Sequence, residues 1–300
     1  MRIMTPAPTH AEGTSSHTPA SRSTGVSGRA LAVLVALTAA LAAAFVLAPR
    51  VLAGSKPGGG LFDQGSLVEA VRVAFVEYWS SGDGDFSPGM EAVVDYWFRY
   101  HVAKAVIAAI LLTVLVTLGV LLWRAFLRAG GLEAGKQAAL ASAGVVVSML
   151  ALFSLVLVMA NVQGAVAPFS SLMSMLPVGE TDGELAVTLG QVRQHLADPL
   201  SAGGEAPPAL EVMVSDFARY HVAMAAIAAV MAAVLIGLSV VFWKLTGATG
   251  ASDKSTRRVL GTVSALSALL SLGVLVVAVA NTTTAADPAP ALLAFLNGGL

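Results

Sequence analysis

Residues 95–105 read DYWFRYHVAKA, and residues 215–225 read SDFARYHVAMA. Each copy of Arg-Tyr-His stands directly before an apolar run long enough to cross a bilayer, and the two copies are 120 residues apart without a gap. Around them, Pro88, Glu91, Trp97, Arg99, Tyr100, His101, Trp123, Asn161 and Pro168 map onto Pro208, Glu211, Phe217, Arg219, Tyr220, His221, Trp243, Asn281 and Pro288. Self-similarity at a fixed period marks repeated structural units. The expected unit has an outer amphipathic helix, two membrane helices, and an Ala-Asn followed by a proline.

Composition places these units in a membrane. Hydrophobic side chains make up 56% of the 300 residues and charged ones 12%, against roughly 25% charged in soluble domains. A span needs about 20 apolar residues to cross about 30 Å of hydrocarbon at 1.5 Å per residue. Five stretches reach that length: 30–48, 102–123, 138–160, 222–243 and 259–280. Each must be helical, because lipid leaves a single crossing segment no other way to satisfy its backbone. The expected fold is all-α: one N-terminal helix beside a four-helix bundle of two tandem two-helix repeats.

Charge supplies a sidedness, since cytoplasmic connections carry the excess of Lys and Arg. Basic residues gather in the tail (Arg2, Arg22, Arg29), in one short connection (Arg124, Arg128, Lys136), and in another (Lys244, Lys254, Arg257, Arg258). The long connections and the C-terminus hold most acids, among them Asp63, Glu69, Glu77, Asp83, Asp85, Glu180, Glu184, Glu205 and Asp287. The expectation is a cytoplasmic N-terminus, an extracytoplasmic C-terminus and a multi-pass place in the cytoplasmic membrane. An even number of spans per unit gives both copies one orientation, with a pseudo-twofold along the membrane normal.

By segment, residues 1–28 read as a disordered cytoplasmic tail rich in Ser, Thr, Pro and Gly. Residues 29–53 are an anchor helix or a cleaved signal. "VLAG" at 51–54 offers small residues to a signal peptidase, but the apolar run exceeds the usual core of about 7 to 15 residues. Residues 61–176 and 181–297 are the two repeats. In the first, Leu67, Val71, Ala74, Phe75 and Tyr78 share a helical stripe; Leu185, Leu189, Val192 and Leu196 repeat it in the second. These helices lie on the outer leaflet, cap the bundle, or dock a partner.

A net charge of −1 gives no reason to expect nucleic acid. Without cysteine there are no disulfides, thiolate metal sites or cysteine nucleophiles. Abundant Ala, Val, Leu, Gly and Arg with little Lys, Asn or Ile is the composition of a high-GC bacterial protein. "GGLEAGKQ" at 130–137 lacks the Ser or Thr and the preceding strand of a phosphate loop. No nucleophile elbow, dinucleotide fingerprint or zinc-protease helix is present.

The candidate ligand or metal site is the duplicated polar set: His101, His221, Glu91, Glu211, Arg99, Arg219, Tyr100 and Tyr220. In one reading these are interfacial residues, with Tyr at the headgroups and Arg snorkelling. In the other, each histidine heads a strip of small residues at intervals of four: Ala105, Ala109, Thr113, Thr117, and Ala225, Ala229, Ala233, Gly237. The two imidazoles then meet near the axis. With Glu91 and Glu211 above, they could hold a divalent metal, ligate haem, or move protons for a quinone, since a neutral imidazole offers a lone pair and changes charge near neutrality. Small residues on the partner helices, Ala141, Gly144, Ser148, Ala151 and Gly261, Ser264, Ala268, Ser271, should form the facing seams. Lys104, where the second copy has Met224, either snorkels or pairs with Glu211 or Asp216. Asn161 and Asn281 read as polar helix ends in the left-handed conformation, or as part of an outer pocket.

"MANVQGAVAPFSSLMSML" followed by "FARYHVAMAAIAAVMAAVL" is similar to the second half of the anthrone-oxygenase-like small integral membrane proteins. The resemblance covers residues 159–240, with Gln163 and Met224 where that pattern has proline and a basic residue. It implies a four-helix membrane fold with Asn161 and His221 as the matching polar positions. From the residues themselves, the leading expectation is a non-catalytic bundle presenting outward acidic segments to a protein partner, a ligand or a second copy. The competing one is a membrane oxidoreductase using the histidine pair.

Overall fold

The computed structural model describes residues 28–54, 64–128, 134–197, 206–250 and 254–299, all helical or connecting. The 1–27 part of the expected tail, and the first half of the "GGLEAGKQ" segment, lie outside the described residues. Five helices are long and apolar enough to cross a membrane: α1 (Gly28–Ala53), α3 (Pro88–Arg128), α4 (Ala134–Val166), α7 (Pro208–Ala248) and α8 (Lys254–Ala286). The remaining helices are α2 (Gln64–Ser81), α5 (Pro168–Met173), α6 (Gly183–Ala197) and α9 (Pro288–Leu296). The chain is a multi-pass membrane protein.

Proline sets the punctuation. Pro88, Pro208, Pro168 and Pro288 each open a helix, at the position where the missing N–H costs nothing. Ala167 and Asp287, ahead of two of these prolines, leave helical geometry at φ −133° and −138°, as a pre-proline residue must. At 41 residues each, α3 and α7 are about 60 Å long, roughly twice the hydrocarbon thickness. Their N-terminal parts therefore stand outside the bilayer.

Those projecting ends form a cap with α2, α5, α6 and α9. Its apolar core includes Phe75, Tyr78, Met90, Phe169, Leu172, Leu185, Leu189, Met213, Leu292 and Leu296, all almost wholly buried. The α2 stripe expected from the sequence is its buried face: Leu67, Val71, Ala74, Phe75 and Tyr78 are each at most 5% exposed. Leu185, Leu189 and Val192 of α6 are fully buried. Polar links cross between the halves. Trp79 Nε1 donates to Gln191 Oε1 at 2.8 Å, and the Tyr78 hydroxyl donates to the Ala209 carbonyl at 3.4 Å. Burial, with the negative charge of Asp85 adding to it, pushes the Tyr78 phenol up to about 12.

Within the membrane the helices form two pairs, α3 with α4 and α7 with α8, which meet chiefly along α4 and α7. At the end far from the cap the pairs also touch, with Trp123 5.5 Å from Phe242 and Gln137 Nε2 donating to Thr256 Oγ1 at 3.4 Å. The first helix packs on α3, where Leu31, Leu34 and Leu41 join Leu111, Leu115 and Leu118.

The strips expected behind the histidines do not face protein. Ala109, Thr113, Thr117, Ala229, Ala233 and Gly237 are exposed, and the buried line is instead Ala108, Leu111, Leu115, Leu118 and Ala228, Ala232, Leu235. The reason is geometric: four residues turn a helix about 400°, so a strict interval of four drifts about 40° per step and leaves the interface within three steps. Thr113 and Thr117 hide their hydroxyls by donating to the carbonyls of Ala109 and Thr113. The partner seams turn inward only in part. Gly144, Ser264 and Ser271 are buried, Ser148 and Ala151 half-buried, and Ala268 exposed.

Candidate functional site

Where the cap meets the apolar spans, each helix pair contains one histidine and one asparagine in contact. His101 Nδ1 lies 3.0 Å from Asn161 Oδ1, and His221 Nδ1 lies 2.8 Å from Asn281 Oδ1. The amide orientation follows from its other end. Asn161 Nδ2 donates to the Leu157 carbonyl and Asn281 Nδ2 to the Val277 carbonyl, each one turn back. With both amide protons turned that way, Oδ1 is the acceptor and the imidazole Nδ1–H the donor. This tautomer places the lone pair on Nε2.

Neither asparagine ends its helix. The α4 helix continues to Val166 and α8 to Ala286, and no non-glycine residue among those described has positive φ. The bond to the carbonyl one turn back and the bond from histidine satisfy the amide inside a continuous helix. Termination is left to Pro168 and Pro288.

The two pairs differ in their surroundings. A Cβ on Gly164 would stand 2.7 Å from His101 Cε1 and Nδ1 and 2.8 Å from Cδ2, so the ring rests on bare backbone. Thr284, the counterpart of Gly164, is half-buried and donates its hydroxyl to the Ala280 carbonyl at 3.1 Å. Trp97 meets the His101 ring edge-on at 4.6 Å, Phe217 meets His221 at 4.5 Å, and Trp97 Nε1 donates to Ser171 Oγ at 3.0 Å. His101 Nε2 is buried with no hydrogen-bond partner.

The rest of the duplicated polar set is spread along its helices. Glu91 and Glu211 are exposed in the first turns of α3 and α7, where a carboxylate suits the helix dipole. Ten residues separate each from its histidine, which is about 15 Å along a helix. Arg99 pairs with Asp95 at 3.3 Å, and its Nε and Nη1 are buried without partners. Arg219 pairs with Asp216 at 3.2 Å. Tyr100 stacks on Trp97 at 5.1 Å and accepts from Lys104 Nζ at 3.4 Å, while that ammonium sits 4.5 Å over the Phe45 ring. Lys104 thus turns toward the first helix rather than toward Glu211 or Asp216. The Tyr220 carbonyl accepts from Gln163 Nε2 at 3.3 Å, which ties α4 to α7 beside the second histidine.

The structure brings each histidine to its own asparagine and keeps the two histidines in separate helix pairs. Among the described residues, no three His, Asp or Glu side chains are grouped closely enough to hold a metal ion. No family model, curated protein or solved structure matches the chain. The molecule's own geometry is therefore the ground for a functional reading.

Gly164 was not singled out from the sequence, and Asp216 was named there only as a possible partner of Lys104. Gly164 has no local signature beyond following Asn161 by three. Asp216, 6% exposed, accepts the Ser170 N–H at 2.8 Å. Its counterpart is Tyr96, and the residue matching Ser170 is Pro290, which has no N–H. The absence of duplication concealed this bond.

Proposed function

We propose that the chain is a non-catalytic protein of the bacterial cytoplasmic membrane whose cap serves as an extracytoplasmic docking body. Its two helix pairs are tandem copies in one orientation, the N-terminus is cytoplasmic and the C-terminus is outside. Basic residues at the helix ends far from the cap, Arg124, Arg128, Lys136, Lys254, Arg257 and Arg258, support that sidedness. The observation that carries the docking role is the cap itself. One apolar core joins α2, α5, α6, α9 and the projecting ends of α3 and α7, which makes a stiff body of what could have been short loops. Between α2 and α6 it bears an open groove of about 400 Å³ lined by Glu69, Glu77, Glu184, Arg72 and Val73. A basic protein segment is the complementary partner.

Within this reading each His–Asn pair is a clasp that fixes the depth of one helix against its neighbour. Interhelical hydrogen bonds of this kind contribute about 0.6 kcal/mol on average and up to about 1.7 kcal/mol in membranes. The test is site-specific crosslinking in cells from Val73, an exposed residue of the groove, repeated with Glu69, Glu77 and Glu184 all changed to Lys. A discrete adduct that disappears in the Lys variant supports docking. Adducts unchanged by charge reversal refute it. Reporter fusions after Ala129, Thr181 and Leu300 test the orientation, with a cytoplasmic signal expected only from the first.

A second reading is favoured by the buried, unpartnered Nε2 of His101. A lone pair in that position can ligate a metal or haem iron, which suits an oxidoreductase and the anthrone-oxygenase-like resemblance. That resemblance pairs Asn161 with His221, which belong to different helix pairs.

A further inference from the structure

A second open groove, about 440 Å³, lies between α3, α5 and α7 at the base of the cap. Val94, Pro168 and Val212 give it apolar walls, and Glu211, Asp216 and Arg219 supply its charge. The buried Asp216 is held by the Ser170 amide and in turn anchors one guanidinium nitrogen of Arg219. The Arg219 side chain as a whole is 57% exposed.

The order of these groups along α7 is informative. Glu211, Ser215, Arg219, Val222, Ala226 and Val230 are all exposed and fall within about 100° of one another around the helix. From water toward bilayer, this stripe presents a carboxylate, a guanidinium two turns later, then an apolar track. Tyr220, the next residue after Arg219, marks the headgroup level, as interfacial aromatics do. A zwitterionic phospholipid presents an ammonium, a phosphate and acyl chains in the same order. Glu211 complements the ammonium. Arg219 suits the phosphate, to which a guanidinium can donate two hydrogen bonds. The apolar track then takes a chain.

We infer that this groove holds one phospholipid with a zwitterionic headgroup, its phosphate on Arg219 and its ammonium on Glu211. The site is distinct from the α2–α6 groove and stands whether or not the cap docks a protein. An anionic phosphoglycerol headgroup would meet Arg219 equally well but would place no cation on Glu211.

The test is native mass spectrometry of the full chain in mild detergent with added phosphatidylethanolamine, phosphatidylcholine or phosphatidylglycerol, and with free phosphoethanolamine. One retained zwitterionic lipid per chain is expected, about tenfold over phosphatidylglycerol. Glu211→Gln should lose about tenfold, Arg219→Gln at least as much, and Glu211→Lys should turn the preference toward phosphatidylglycerol. Because Glu211 is exposed in the first turn of its helix, its variants keep the test valid if Arg219→Gln does not fold. Equal retention of all three lipids, or retention unchanged in the Glu211 variants, overturns the inference. Competition by free phosphoethanolamine at concentrations like those of the lipid would identify a soluble ligand and also overturn it.

Discussion

His101 Nδ1 and Asn161 Oδ1 are 3.0 Å apart, and sixty residues separate them in the chain, as sixty residues separate His221 from Asn281. One such bond therefore closes each helix pair at the same level. Converting either partner to alanine leaves the other polar group without its partner, which costs about 1–3 kcal/mol where the group is buried. His101→Ala should lower thermal stability in detergent more than His221→Ala, since the first ring also fills the space above Gly164. Combining His101→Ala with Asn161→Ala should cost less than the sum of the two single changes. Strict additivity would show that the bond is not formed.

Gly164 gives a sharper contrast. An alanine Cβ would stand 2.7 Å from the His101 ring, so the imidazole must shift off Asn161. The expected loss is about 1–3 kcal/mol, the range for overpacking. Thr284→Ala, at the equivalent half-buried place, adds no atom against a ring and loses only a hydroxyl bonded within its own helix, so it should cost less, about 1 kcal/mol or below. Equal effects at the two positions would contradict the packing described for His101.

Asp216→Ala removes the acceptor of the Ser170 N–H and the anchor of Arg219. A loss of about 2–3 kcal/mol is expected, read as faster proteolysis of the cap or a lower unfolding temperature. Asp216→Asn can still accept the amide proton and should lose less. If the two variants were equally affected, the ion pair rather than the Ser170 bond would be the important contact.

Tyr78 predicts an alkaline limit. Its phenol stands at about 12 in the folded protein against 10.0 ordinarily, so above pH 10 the unfolded chain releases a proton that the folded one keeps. Stability should be unaffected by this group below about pH 10 and fall as pH rises from there toward about 12. In Tyr78→Phe that component of the alkaline slope should vanish, although the variant starts lower for want of the bond to Ala209. A slope identical to that of the wild type would assign alkaline sensitivity to other groups.

Much of the fold is legible in the sequence because bilayer thickness and backbone satisfaction are severe constraints. Apolar length marks α1, α3, α4, α7 and α8, the period of Leu67, Val71, Phe75 and Tyr78 marks the buried face of α2, and each duplicated proline opens a helix. The small-residue strips misled because alanine and glycine are common on lipid-facing surfaces too, and a period of 4.0 does not follow a helix of 3.6 residues per turn. Asn161 misled because an asparagine before a proline resembles a helix end, whereas its tertiary partner lies sixty residues upstream. The equal spacing from each His to its Asn was the available signal. Nothing comparable announces Gly164 or Asp216, whose contacts occur in one half alone.

The central claim is that the two histidines are structural clasps and not ligands. Its most direct test is the absorbance spectrum of the purified protein, oxidised and dithionite-reduced, with elemental analysis on the same sample. The account predicts a colourless protein with no stoichiometric metal, its spectrum the same in His101→Ala and His221→Ala. A haem band or one equivalent of metal, lost in those variants while the protein remains folded, would contradict it and establish the redox reading.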